Sequence, residues 1–110
     1  MIQDIEMEAR MESKKIGVAG TLESCDIQIQ IESNDTDENE IYLRSVVEAQ
    51  FGDHIRALIR SILGEHQLKG VVVSAVDRGA LDCTIIARTQ TAILRYNGET
   101  EMDWSVILRD

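Results

Sequence analysis

The sequence predicts an α+β fold in which an antiparallel sheet of about five strands packs against one long and one short helix. Three observations favour this class. Apolar and polar residues alternate over residues 27–32, apolar residues recur at helical spacing after Ser45, and a β-branched run fills residues 71–76. A chain of 110 residues is typical of one domain with its own core.

An acidic turn interrupts the first predicted hairpin. Residues 16–22 are small and β-branched and suit a strand, although Gly17 and Gly20 indicate a bulge or a close backbone approach. Residues 27–32 form the second strand, with isoleucines on one face and polar residues on the other. The segment between them, ESCD at 23–26, is the predicted turn.

A third strand and the long helix follow. Residues 41–44 alternate again, and the segment from Ser45 to Glu48 fits a capping box that would begin a helix. Apolar residues then recur in steps of three and four: Val47, Phe51, Ile55, Leu58, Ile59, Ile62 and Leu63. The helical pattern stops near Gly70.

The second half of the chain predicts two more strands and a short helix. Residues 71–76 are too short for a helix and read as a buried strand, and residues 77–82 form a turn around Gly79. Alternation over 83–89 favours a fifth strand, in which Cys83 is a small core residue. A short helix then ends near Gly98.

Composition divides the chain into three parts. Residues 1–15 are polar and predict a flexible N-terminal extension, residues 16–98 form the domain, and residues 99–110 form a C-terminal tail. Trp104 and Ile107 give this tail a short apolar patch, which we expect to pack on the domain or on a partner.

Charge and hydropathy exclude two classes of partner. A formal charge of −9 argues against nucleic acid, because binding to phosphates needs a basic face. No apolar run is long enough to span a membrane, and residues 1–15 lack the apolar core of a secretory signal. The chain is therefore expected in the cytoplasm, with Cys25 and Cys83 as free thiols.

The sequence contains no recognisable catalytic or metal-binding motif. His54 and His66 lie more than three turns apart on one helix, so they cannot share a metal ion. The carboxylates that flank the two turns, at 23 and 26 and at 77 and 82, are typical turn residues. These observations predict neither a catalytic residue nor a metal ligand.

Ser24 has two interpretations. A turn serine commonly bonds to its own backbone. Alternatively, an exposed serine on a hairpin turn can present a covalently attached group away from the body of the protein. Ser24 is not expected to act as a nucleophile, because no base is visibly paired with it.

Three blocks of sequence resemble a known family. VAGTLESCDIQIQI, RSVVEAQFGDHIRALI and VVVSAVDRGALDCTIIARTQTAILR together resemble the acyl carrier subunit, or gamma chain, of citrate lyase. The resemblance covers roughly residues 16–96. The attachment motif of this family, Ala-Gly-Thr-Leu-Glu-Ser, is present without change and ends at Ser24.

The resemblance implies a carrier rather than an enzyme. Ser24 would bear a covalent prosthetic group derived from 2'-(5-triphosphoribosyl)-3'-dephospho-CoA. This arm would shuttle acetyl and citryl thioesters between the alpha (transferase) and beta (lyase) subunits during cleavage of citrate to oxaloacetate and acetate. The implied partners are these two subunits and the transferase that loads the group, with Glu23 and Asp26 as candidate recognition charges.

Two alternatives stay open on the sequence alone. One is the related carrier subunit of malonate decarboxylase, against which the segments GTLES, QFGDHIRALI and DRGALDC favour citrate lyase. The other is a non-catalytic structural or adaptor subunit that carries no arm. A stand-alone enzyme is disfavoured because no pairing of a base with a nucleophile is present.

Overall fold

The structure, a computed structural model, describes residues 15–98. The predictions for residues 1–14 and for the tail from residue 99 lie outside this range. Within residues 15–98, six elements follow one another: β1 (Ile16–Ala19), β2 (Ile27–Ser33), β3 (Glu40–Ser45), α1 (Glu48–Glu65), β4 (Val71–Asp77) and α2 (Asp82–Asn97).

The strands form one mixed sheet with the order β1-β2-β4-β3. β2 pairs antiparallel with both β1 and β4, whereas β3 runs parallel to β4. The parallel pair is joined by α1, since parallel neighbours need a long crossover connection. The register places Ile27 opposite Asp77, so the start of β2 and the end of β4 lie at the same end of the sheet.

The core lies between one face of the sheet and the two helices. Alternate residues of β2 and β4 point into it and are fully buried, among them Ile29 and Val73. The helices contribute residues at steps of three and four, which places a continuous apolar stripe against the sheet. The opposite face of the sheet is half-buried or exposed, as at Gln30 and Ser74.

The predicted α+β class is confirmed, but two details of the sheet were wrong. The described residues form four strands rather than about five, and the sheet is mixed rather than wholly antiparallel. The predicted strand over 83–89 belongs to α2, which has 16 residues. Alternation over so few positions also fits a helix, and burial of Ile85, Thr89 and Ala92 follows the helical period. Cys83 is exposed, not in the core.

The predicted capping box was also wrong. Val47 is the residue before the first turn of α1, and its side chain makes no capping hydrogen bond. The Ser45 hydroxyl accepts a hydrogen bond from the Val47 N–H at 3.0 Å and donates one to Asp77 at 2.8 Å. Glu48 instead pairs with Arg56 at 3.0 Å. Ser45 therefore joins the ends of β3 and β4 just ahead of the helix.

Gly20 explains why β1 ends at Ala19 instead of continuing to residue 22 as predicted. Its φ of +92° lies in the left-handed region, and a side chain there would collide with the Ile27 carbonyl. The chain can therefore leave the hairpin ladder at this point and enter the acidic turn.

Candidate functional site

The turn that carries Ser24 connects β1 to β2. The Asp26 N–H donates to the Glu23 carbonyl at 3.2 Å, which closes a four-residue turn with Ser24 and Cys25 at its centre. Cys25 adopts a φ of 65°, which is uncommon outside glycine. Ser24 is exposed, and its hydroxyl has no hydrogen-bond partner among residues 15–98. Among the described residues, the turn therefore presents an exposed hydroxyl that none of them binds.

Two backbone hydrogen bonds fasten this turn to the end of β4. The Cys25 N–H donates to the Arg78 carbonyl at 2.8 Å, and the Arg78 N–H donates to the Asp26 carbonyl at 2.9 Å. They extend the pairing of β2 with β4 by about one residue pair beyond the strands. Cys25 and Asp26, the two residues after Ser24, are thus held by the pairing of the central strands β2 and β4.

Asp26 ties the Ser24 turn to α2. It is 9% exposed, and its carboxylate accepts hydrogen bonds from the Thr21 hydroxyl at 2.6 Å, the Thr21 N–H at 3.1 Å and the Ile27 N–H at 2.7 Å. Arg88 of α2 completes the network with two parallel bonds, each 3.0 Å long. The bonds from Arg88, then those from Thr21 and Ile27, outweigh desolvation and hold the pKa of Asp26 well below its usual range.

The two candidate recognition charges lie on the Ser24 turn in different environments. Both oxygens of Asp26 are occupied by internal partners. Glu23 is exposed, and only its backbone bonds within the described residues: its N–H donates to the Thr21 hydroxyl at 3.2 Å, and its carbonyl accepts from the Asp26 N–H. Of the two, Glu23 is the carboxylate available to another molecule.

Two arginines of the site were missed from the sequence. Arg88 lies 62 residues from its partner Asp26, in a segment predicted as a strand, so no local signal identifies it. Arg78 was counted only as part of a turn. Its side chain is exposed and forms no ion pair within the described residues, next to the Ser24 turn. Its position becomes evident only once the pairing of β2 with β4 is known.

An apolar cleft of about 370 Å³ opens at the same end of the molecule. It lies between the first half of α1 and the segment that leads into α2. His54 of α1 contacts Asp82 of α2 at 2.9 Å on one side of this cleft. Its lining comprises Val47, Phe51, His54, Ile55, Gly79, Ala80, Leu81, Asp82 and Ile85.

Within the described range, the Ser24 turn lacks the groups that nucleophilic or metal-dependent catalysis would need. No histidine, lysine or carboxylate within the described range contacts the Ser24 hydroxyl, so no base is placed to activate it. No group of acidic, histidine or cysteine side chains there could hold a metal ion. Cys25 and Cys83 are both free and exposed. No helix in the described part is long and apolar enough to cross a membrane.

Comparison with known proteins points to carriers. An acyl carrier family model, described as the malonate decarboxylase delta subunit, matches residues 14–96. The citrate lyase acyl carrier protein of Latilactobacillus sakei subsp. sakei (strain 23K) is 50% identical over 97 residues, which cover 88% of this chain and 95% of the relative. Those of Streptococcus equi subsp. equi (strain 4047) and Streptococcus pyogenes serotype M18 (strain MGAS8232) are 48% and 47% identical over the same shares of each chain.

Proposed function

Because this chain belongs to the family of citrate lyase acyl carrier proteins, we propose that it carries acyl groups for a citrate lyase on a prosthetic group attached to Ser24. The observation that supports this site best is the exposed hydroxyl of Ser24, which has no partner among residues 15–98 and lies on a turn whose backbone is fixed to the central strands. Such a mount holds the attachment point still while the attached group extends into solvent.

The residues around Ser24 fit a phosphoribosyl dephospho-CoA group. The group contains phosphates, and the Arg78 side chain is an exposed cation without an ion pair in the described range, next to the turn. When bound, the group supplies a thiol that carries acyl groups as thioesters. We assign Ser24 as the covalent ester link and Arg78 as the counter-charge to a phosphate.

The rest of the turn positions Ser24. Asp26 and Arg88 tie the turn to α2, and Gly20 lets the chain leave β1 at the required angle. A rigid mount keeps the attached group at a high effective concentration near the enzymes that the carrier serves. We propose that this chain is a non-catalytic subunit whose partners perform the chemistry; within residues 15–98 no base contacts Ser24.

We propose the alpha and beta subunits of citrate lyase and the prosthetic-group transferase as partners, in the cytoplasm. Two free exposed thiols support a reducing compartment.

Glu23 is the candidate recognition charge for the transferase. Glu23→Lys should slow loading of Ser24, whereas Asp37→Lys, in the exposed loop at the other end of the sheet, should not. Equal loading rates for both variants would remove this role from Glu23.

Mass measurement tests the attachment site. Intact mass and peptide mapping of the chain from its native host should show the prosthetic group on Ser24. Ser24→Ala should keep its circular dichroism spectrum and abolish activity of the complex. Ser74→Ala, an exposed serine on the open face of β4, should leave activity unchanged. An unmodified Ser24 in an active native complex would contradict the proposal.

Malonate decarboxylase is the second candidate enzyme, because the matching family model carries the description of its delta subunit. The complex that copurifies with the loaded chain distinguishes the two: citrate lyase cleaves citrate, whereas the alternative decarboxylates malonate. An adaptor without an arm would instead support full activity with Ser24→Ala.

A further inference from the structure

The apolar cleft shares its end of the molecule with Ser24. Arg78 donates to and accepts from the backbone of the Ser24 turn, and the next residue, Gly79, already lines the cleft. Cys25, which follows Ser24, donates a 2.8 Å hydrogen bond to Arg78, which precedes Gly79. This bond therefore brings Ser24 close to the cleft. A flexible group attached to Ser24 starts beside the opening of the cleft.

We propose that this cleft binds the thioester end of the group on Ser24 when the acyl substituent is small and uncharged, as an acetyl group is. This inference rests on the proposed function, because it requires the prosthetic group. The cleft would shelter the acylated end between visits to partner enzymes.

The lining suits a neutral acyl end. Ile55 and Ile85 are 2% and 1% exposed, so the base of the cleft consists of core side chains. Phe51 and Leu81 also line it, and they are 49% and 71% exposed, which leaves apolar surface open to water. A volume of about 370 Å³ falls in the lower part of the usual range for small-molecule sites, about 300–1,000 Å³. Burial of this surface by a short apolar chain end is favourable.

The charged groups of the lining disfavour an acyl group that bears carboxylates. Asp82 and its partner His54 are the ionisable residues in the lining. A carboxylated acyl group would bring further negative charge next to the Asp82 carboxylate and would lose solvation against apolar walls. The cleft therefore distinguishes a neutral acyl end from a charged one.

Weak binding is sufficient because the ligand is tethered. A short flexible linker gives an effective concentration in the millimolar range, so an intrinsic dissociation constant of about 1 mM would keep the cleft roughly half occupied. Binding this weak also lets the acylated end leave for a partner enzyme. The cleft thus needs only apolar contact and no dedicated polar ligands.

The test uses the full chain, loaded in its native host and acetylated on its thiol with a carbon-13-labelled acetyl group. Nuclear Overhauser effects should connect the acetyl methyl protons to Phe51 and Ile85. Phe51→Ala should weaken the effects to Ile85. It should also speed hydrolysis of the thioester, in which water replaces the thiol on the carbonyl carbon. For a half-occupied cleft, the hydrolysis rate should rise by about twofold. Tyr42→Ala, an aromatic 59% exposed on the opposite face of the sheet, should change neither quantity.

The outcomes distinguish failure of the cleft inference from failure of the proposed function. A chain that carries no group on Ser24 in its native host overturns both. A loaded, acetylated chain without effects to the cleft residues overturns only the cleft. If the loaded, acetylated chain shows no effects to the cleft residues and Phe51→Ala weakens assembly with the other subunits, the cleft is a protein-docking surface and the inference is wrong.

Discussion

The sequence predicts Asp26 to be an ordinary, solvated turn residue. In the structure it is the carboxylate of the site that accepts the most hydrogen bonds. Five hydrogen bonds from Thr21, Ile27 and Arg88 satisfy its two oxygens. A carboxylate with this many donors stays ionised despite its burial. Asp26 positions Ser24 by fixing the turn between β1 and β2 to α2 through Arg88.

Replacement of Asp26 should destabilise the fold in a pH-dependent way. Asp26→Asn leaves Arg88 without its partner and should lower the free energy of unfolding at pH 7 by about 2 kcal/mol. The folded pKa of Asp26 lies below the unfolded one, so its contribution is present above the ordinary pKa of about 3.9 and is lost as pH falls below it. The difference between the two proteins in urea unfolding should therefore be constant above about pH 5 and shrink towards pH 2.

Asp53→Asn provides the control for this measurement. The Asp53 side chain is fully exposed and reaches Arg56 at 3.4 Å, a geometry in which surface pairs contribute little. Its effect on unfolding should be close to zero at every pH. A gap between wild type and Asp26→Asn that does not narrow in acid would show that the carboxylate charge is not what stabilises the turn.

At the scale of the elements, the packing of β1 on α2 depends on a glycine. Gly17 is buried, and a side chain there would collide with backbone atoms of Ala92 and Tyr96. The close approach fixes α2 against the edge strand, and α2 in turn supplies Arg88 to the Ser24 turn. A small residue in β1 is thus part of what positions the site.

The same substitution should have opposite effects at two glycines. Gly17→Ala forces β1 and α2 apart and should lower the free energy of unfolding by about 1–3 kcal/mol. Gly64→Ala, in α1 with open space around it, should raise that free energy by up to about 1 kcal/mol. Thermal unfolding of both variants checks this, and a neutral Gly17→Ala would mean that the two elements need no such contact.

At the scale of the whole molecule, the sheet separates two ends of different chemistry. The start of β2 and the end of β4 place Ser24, Arg78 and the apolar cleft together. The other end of β2 leads into the exposed acidic loop that contains Asp35 and Asp37, and Arg60 lies at that end. Substitutions should therefore affect the loading of the group that we propose for Ser24 at one end of the molecule and not at the other.

Two arginines at opposite ends test this separation. Neither Arg78 nor Arg60 forms an ion pair within residues 15–98, so neutralising either should leave the fold intact. Arg78→Gln removes a charge beside Ser24 and should lower kcat/KM for loading of the prosthetic group about tenfold, or ~1.4 kcal/mol. Arg60→Gln should load at the wild-type rate. Similar losses for both would indicate a general effect of net charge.

The sequence by itself determined the features that depend on neighbouring residues. Alternation identified β2, the β-branched run identified β4, and helical spacing identified α1. The segment Ala-Gly-Thr-Leu-Glu-Ser, which ends at the proposed attachment site Ser24, is also short and continuous, so a family resemblance could reach it without a structure. Periodicity alone could not separate a strand from a helix over 83–89, because a few alternating positions fit both.

Only the tertiary structure decided what surrounds Ser24. The bond between Asp26 and Arg88 spans 62 residues, and the bonds between Cys25, Asp26 and Arg78 exist because β2 pairs with β4. The cleft forms where α1 and α2 converge at one end of the sheet. These contacts depend on which distant segments pack together, and no local pattern of residue types carries that information.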